Sequence, residues 1–275
     1  MFKETLIKWM TELYGKFADA GNYNMSNLLS IDLDGFNDLL YIWVETIMRN
    51  VIMPVAYVIL ALFFVLELWN IVSKLDGAGG GSMFAVEVVF KAILKLGVAK
   101  FAVDKTLNII KGIYGVSQYI MSGVSGIMSP EAVTGSMNLY TIAAEINSMD
   151  MGAQIGLLIE LLIIKFGVMI IMGIVQLICI GRFIEIYVYM AVAPIPIATL
   201  PSEEMSGIGK NFFKSFAAIC LQGVFIYIIL TFFPILVNSN ILTDFNAFSM
   251  LLYSIMLVIA IMSSSRWAKS ICSAM

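Results

Sequence analysis

Histidine is missing from this 275-residue chain, which removes the side chain that most often serves as general base and as transition-metal ligand. Charge of either sign is also scarce: 13% of the residues are Asp, Glu, Lys or Arg, where soluble domains carry about a quarter. The scattered carboxylates that remain assemble no nucleophile with its base and no ligand cluster. The chain is therefore expected to be no enzyme and to need neither cofactor nor metal. Cysteine is limited to Cys179, Cys220 and Cys272 without CxxC spacing, and the first two lie in apolar runs where a thiol acts as a small hydrophobe. A secretory signal is absent from the start, so the mature chain is expected to begin at Met1. The net charge of −3 and pI of about 5.0 exclude a global attraction to nucleic acid or anionic lipid and leave only local contacts. Asp32 and Asp34 lack the remaining ligands of an EF-hand loop. The glycine cluster from Gly77 to Gly81 lacks the strand and GK[ST] ending of a phosphate loop and reads as a connector.

What is abundant is apolar surface. Hydrophobic residues make up 60% of the chain and the mean hydropathy is +0.94, more than a water-soluble fold of this length hides in one core. Continuous apolar stretches of about 20 residues suit helices that cross a bilayer, whereas barrel strands alternate over about ten. The expected fold is all-α: a polytopic helical membrane protein of about six spans, or five, with an amphipathic N-terminal helix.

Residues 1–48 hold that helix, with Phe2, Leu6, Trp9, Met10, Leu13 and Phe17 on one face, and an acidic linker. Residues 49–103 hold a first span at 51–72 with Pro54 in its first turn, the glycine-rich break, and a lysine-bearing helix at 83–103. On that helix Glu87, Lys91 and Lys95 fall within about 80° of one another and Lys100 lies opposite. A charge at the bilayer centre costs at least about 2.5–3.5 kcal/mol, so the charged face must look at protein, water or headgroups. Residues 104–152 are expected to form a central extramembrane module. Residues 153–275 are expected to form a bundle of four spans at 155–181, 183–200, 212–237 and 247–265.

The candidate translocation or interface residues are Lys91, Lys95, Lys100, Glu160, Lys165, Arg182, Glu185, Pro194, Pro196 and Gln222. Glu160 and Lys165 stand about 140° apart on their helix and need partners elsewhere; Arg182 and Glu185, three apart, are spaced to pair locally. With six spans and both termini inside, ten of the 16 cations lie on the inner side and two, Lys74 and Arg182, on the outer. If 83–103 lies flat, five spans remain and the amino terminus moves outside. A cytoplasmic C-terminus is common to both arrangements.

The runs Gly181-Arg182-Phe183-Ile184-Glu185-Ile186-Tyr187, Ala193-Pro194-Ile195-Pro196-Ile197-Ala198-Thr199, Gly209-Lys210-Asn211-Phe212-Phe213-Lys214 and Leu221-Gln222-Gly223 resemble the TrbL-type, VirB6-like family of conjugal-transfer proteins in its compact Gram-positive form. The order of parts along the chain is similar too. The resemblance implies a multi-pass cell-membrane channel or platform subunit of a type IV secretion apparatus that moves single-stranded DNA with its relaxase. It also implies neighbouring secretion subunits and ATPases as partners, a homo-oligomer in the lipid bilayer, and often five spans with an outer amino terminus. A secondary transporter or small-solute channel, with a proline-broken helix at the midplane, is the alternative, although the two halves of the chain show no inverted repeat.

Overall fold

The computed structural model describes residues 4–9, 11–12, 29–78, 82–127, 150–202, 204–238 and 247–274. Most of the acidic linker, the centre of the glycine-rich break, the second half of the central module and the loop before the last helix lie outside them. Among the described residues every regular element is helical. The helices are α1 (Leu33–Phe36), α2 (Asp38–Ile47), a π-helical turn (Met48–Ile52), α3 (Met53–Ala78), α4 (Ser82–Asp104), α5 (Thr106–Ile127), α6 (Met151–Val192), α7 (Pro194–Ala198), α8 (Ser206–Asn238) and α9 (Ala247–Ile271). Residues 4–9 and 11–12 are helical as well, and Leu6 is fully buried.

Four stretches among the described residues are long and apolar enough to cross a membrane: Asp38–Ser73, Met151–Val192, Ser206–Phe233 and Leu251–Ile271. Six were expected, and the difference has two causes. The expected spans 155–181 and 183–200 are one helix, α6, whose 42 residues run through Arg182 without a break. The lysine-bearing helix forms as expected over 82–104 but carries too many charges to qualify by composition. The first span also starts earlier than expected. Asn37 caps α2 by accepting a hydrogen bond from the Leu40 amide at 2.9 Å, with Asp38 in the first turn where the helix dipole favours it. Pro54 is thus interior to a longer helix, and the ladder accommodates its missing N–H by widening into the π-helical turn just before it.

The chain divides into two compact units, residues 1–31, 118–182 and 222–267, and residues 32–117, 183–221 and 268–275. In the first, α6 meets α9 where Gly167 lies against Leu251, and α8 meets α9 where Phe225 and Trp267 stand edge to face at 6.4 Å. In the second, α3 and α4 form an antiparallel hairpin. Lys95 reaches Glu67 at 3.4 Å and the Tyr57 hydroxyl donates to Asp104. Advancing along one helix means retreating along the other. The end of α6 runs parallel to α2 and α3. Phe36 stacks on Phe183 at 4.2 Å, the Tyr187 hydroxyl donates to the Leu33 carbonyl, and α7 then packs on the π-helical turn and α3. The start of α8 returns antiparallel to α6, with Tyr189 and Phe212 5.6 Å apart.

Candidate functional site

The groove-bearing face of α4 gathers the basic candidates. At 100° per residue Lys91, Leu94, Lys95, Val98 and Ala102 share one side of the helix, and all five line a cavity of about 630 Å³ whose opposite wall is Leu200, Pro201, Ser202, Ser206 and Lys210. The cavity thus has three amines and two hydroxyls on an otherwise apolar lining. Both α4 amines have acid neighbours: Lys91 contacts Glu87 at 2.7 Å and Lys95 contacts Glu67. Lys100 is exposed on the far side of α4, as its angular position implies. Farther on, Lys111 sits 4.8 Å over the Tyr41 ring and 3.6 Å from Asp34; Tyr41, outweighing desolvation, and Asp34 push the Lys111 pKa up.

The opposite wall is shaped by prolines and a glycine. The helix gives way at Ala193 and restarts as α7, where Pro194 and Pro196 are buried. Ala193 stays in the right-handed helical region, and its carbonyl still accepts from the Ile197 amide at 3.3 Å. The prolines therefore end α6 without exposing the string of carbonyls that ion-coordinating transporter helices present. Thr199 closes the turn, its hydroxyl donating to the Pro196 carbonyl at 2.8 Å. α8 comes back directly against it: a Cβ on Gly209 would stand 2.7 Å from the Pro196 carbonyl oxygen and 2.6 Å from the Leu200 side chain. Only glycine lets the two backbones approach so closely.

Two embedded charges also find their surroundings. Arg182 is 2% exposed, and its guanidinium lies where a Cβ on Gly223 would be. The expected local pair with Glu185 is not what places it: Arg182 turns inward to α8, while Glu185 is exposed. Gln222 is half-buried beside that glycine. Lys165 donates to Glu12 at 2.6 Å and lies 5.1 Å from the Trp9 ring centre, so its partner is the N-terminal amphipathic helix, in keeping with its distance around the helix from Glu160. Glu160 is exposed and makes no ion pair among the described residues. The structure thus brings Lys91 and Lys95 together with the turn that follows the prolines, and keeps Lys100 and Glu160 apart from it. Lys210, Glu67, Glu12, Gly209 and Gly223 are the residues that sequence reasoning passed over as site members. Gly209 and Gly223 were visible as motif letters, whereas Glu67 and Glu12 lie 28 and 153 residues from their partners and left no local signal.

No cluster of His, Cys, Asp or Glu able to hold a metal occurs among the described residues. Four described helices long and apolar enough to cross a bilayer, with large apolar side chains exposed along them, define a multi-pass helical membrane protein. The family model described as TrbL/VirB6 plasmid conjugal transfer like protein matches residues 27–194. The chain belongs to that family, and with it to the components of conjugal transfer, a type IV secretion process. The match takes in the glycine–arginine run and ends at the first proline of the pair; the Gly209 and Gly223 motifs lie beyond it. No curated protein and no solved structure matches the chain.

Proposed function

We propose that the chain is a non-enzymatic channel or platform subunit of the conjugal-transfer apparatus, buried on much of its surface by other subunits. The observation that carries this is α6. Its 42 residues extend about 63 Å, and large apolar side chains are exposed along its whole length, from Met151 and Ile155 through Phe166 and Leu177 to Val188 and Val192. A hydrocarbon core of about 30 Å covers about 39 Å of helix even at a 40° tilt. The remainder needs protein cover, since lipid cannot reach it and water disfavours it. A homo-oligomer and neighbouring secretion subunits supply that cover in this reading, with secretion ATPases driving transport and single-stranded DNA with its relaxase as cargo.

The hairpin extends the reading to topology. α4 runs antiparallel to α3 with Lys91 and Lys95 met by Glu87 and Glu67, and i to i−4 hydrogen bonds on either side of Lys105 carry it into α5, so in this reading the two together cross as a fifth span beside the four apolar ones. α3, α6 and α9 then cross in one direction and α4 and α8 in the other. The connector near residue 80, the turn after the prolines and the C-terminus share a side with Lys74, Lys91, Lys95, Lys210, Lys214, Arg266 and Lys269. Toward the opposite ends, by chain order, stand Lys3, Lys8, Lys16, Arg49, Lys100, Lys105, Lys111 and Lys165. The cations divide about evenly between the two sides, so the positive-inside rule does not by itself orient the bundle; with the C-terminus inside, as the sequence suggested, five crossings put the amino terminus outside, against the six-span arrangement. Extraction of a tagged chain that supports DNA transfer, in mild detergent with mass measurement, should give a species well above the 30.3 kDa monomer. A homogeneous monomer with no companion subunit would overturn the proposal.

A further inference from the structure

We propose that the α4 cavity is a binding site for one anionic phospholipid, with the headgroup at the lysines and an acyl chain along α4. Depth is the first argument. In the hairpin register fixed by Lys95 with Glu67 and Asp104 with Tyr57, Lys91 and Lys95 stand level with the stretch Glu67–Ile71. There the apolar run of α3 closes and Trp69 is 71% exposed, the position of an aromatic belt at the headgroups. Shape is the second. From Lys91 the lining descends through Leu94, Val98 and Ala102, one continuous stripe about 16 Å long, close to the thickness of one leaflet. Charge is the third. Lys91 and Lys95 face Glu87 and Glu67, so the third amine lining the cavity, Lys210, leaves the group with one surplus positive charge, met by a singly charged phosphodiester. The Ser202 hydroxyl lies beside it in the same lining. Basic pockets between membrane helices recognise such headgroups. A nucleic-acid strand fits less well, because single-strand grooves add aromatic platforms for the bases and the lining holds no aromatic ring. The inference requires the chain to be in a bilayer but not to be a channel.

The test uses full-length protein in detergent, delipidated and then offered phosphatidylglycerol or phosphatidylcholine, with bound lipid counted by native mass spectrometry. Wild type should retain one phosphatidylglycerol at least about tenfold better than phosphatidylcholine, and K91Q/K95Q/K210Q should lose that preference. A102F, which fills the acyl stripe and leaves the amines in place, should lower retention too, while K100Q on the far face should not. Equal retention of both lipids by wild type would overturn the proposal, and that comparison needs no variant to fold. So would equal binding of glycerol phosphate, which would mark a soluble-anion site, or displacement of the lipid by a short oligonucleotide, which would mark a nucleic-acid site. Lipid selectivity with a monomeric protein would leave this site standing and remove the subunit reading; the converse would do the reverse.

Discussion

Gly223 leaves room on α8 for one buried guanidinium, and that fit is a measurable coupling. A Cβ at this position would occupy the place of the Arg182 side chain, so Gly223→Ala forces a buried cation to move within a packed interior. Overpacking of this kind typically costs about 1–3 kcal/mol. Arg182→Ala alone also destabilises, but it vacates the space that Gly223→Ala needs. The double variant is therefore expected to melt higher than the two single effects added together, with a coupling of about 0.5–3 kcal/mol; additive shifts in detergent melts would show that the two residues do not share the site. The sequence marked both residues as motif letters but gave no sign of their contact, since the nearer charge, Glu185, is the only neighbour that local spacing offers. Burial against another helix has no local signature.

The same limit governed the helices themselves. The continuous apolar runs made the all-α class and most helix positions readable, α4 to within one residue at each end, while α8 begins six residues earlier and α9 ends six residues later than expected. What misled was punctuation: Arg182 read as the end of one span and the start of the next, and Pro54 as a first-turn proline. Backbone hydrogen bonding decides continuity, and an arginine seated on a glycine or a proline preceded by a π-helical turn need not interrupt it. The return of α8 against α7 offers a controlled test of the glycines. At Gly209 a Cβ meets backbone, the Pro196 carbonyl, while two residues earlier Gly207 faces open space. Gly209→Ala is expected to cost about 1–3 kcal/mol through a displaced turn. Gly207→Ala, in the same first turn of α8, should be neutral or stabilise by about 0.5–1 kcal/mol, since alanine replaces glycine within a helix. Thermal melts of the two variants side by side separate close packing from propensity, and equal destabilisation by both would rule out the close approach as its cause.

In the proposed topology five crossings in alternating sense put the two ends in different compartments, and the native thiols make this testable without a full cysteine scan. Cys179 and Cys220 are buried in the apolar helices, and Cys272 just past α9 is partly exposed. Partial burial pushes the Cys272 thiol up, which lowers the thiolate fraction that reacts with maleimides, so labelling belongs at mildly alkaline pH. Tyr119, 80% exposed in the second half of α5, is a suitable place for a second reporter on the proposed opposite side. With an outer amino terminus, a membrane-impermeant maleimide should label Tyr119→Cys in intact cells and reach Cys272 only after the membrane is opened. Six crossings with both ends inside would place the region after the lysine-bearing helix in the cytoplasm, and Tyr119→Cys would then stay silent until permeabilisation. A flat α4 would leave four crossings and put Cys272 on the same side as the amino terminus. The pair of reporters, scored before and after permeabilisation, separates the hairpin from the six-span arrangement; a third reporter at the exposed Thr11, on the Cys272 side if α4 lies flat and on the other side if α3 and α4 cross together, separates it from a flat α4.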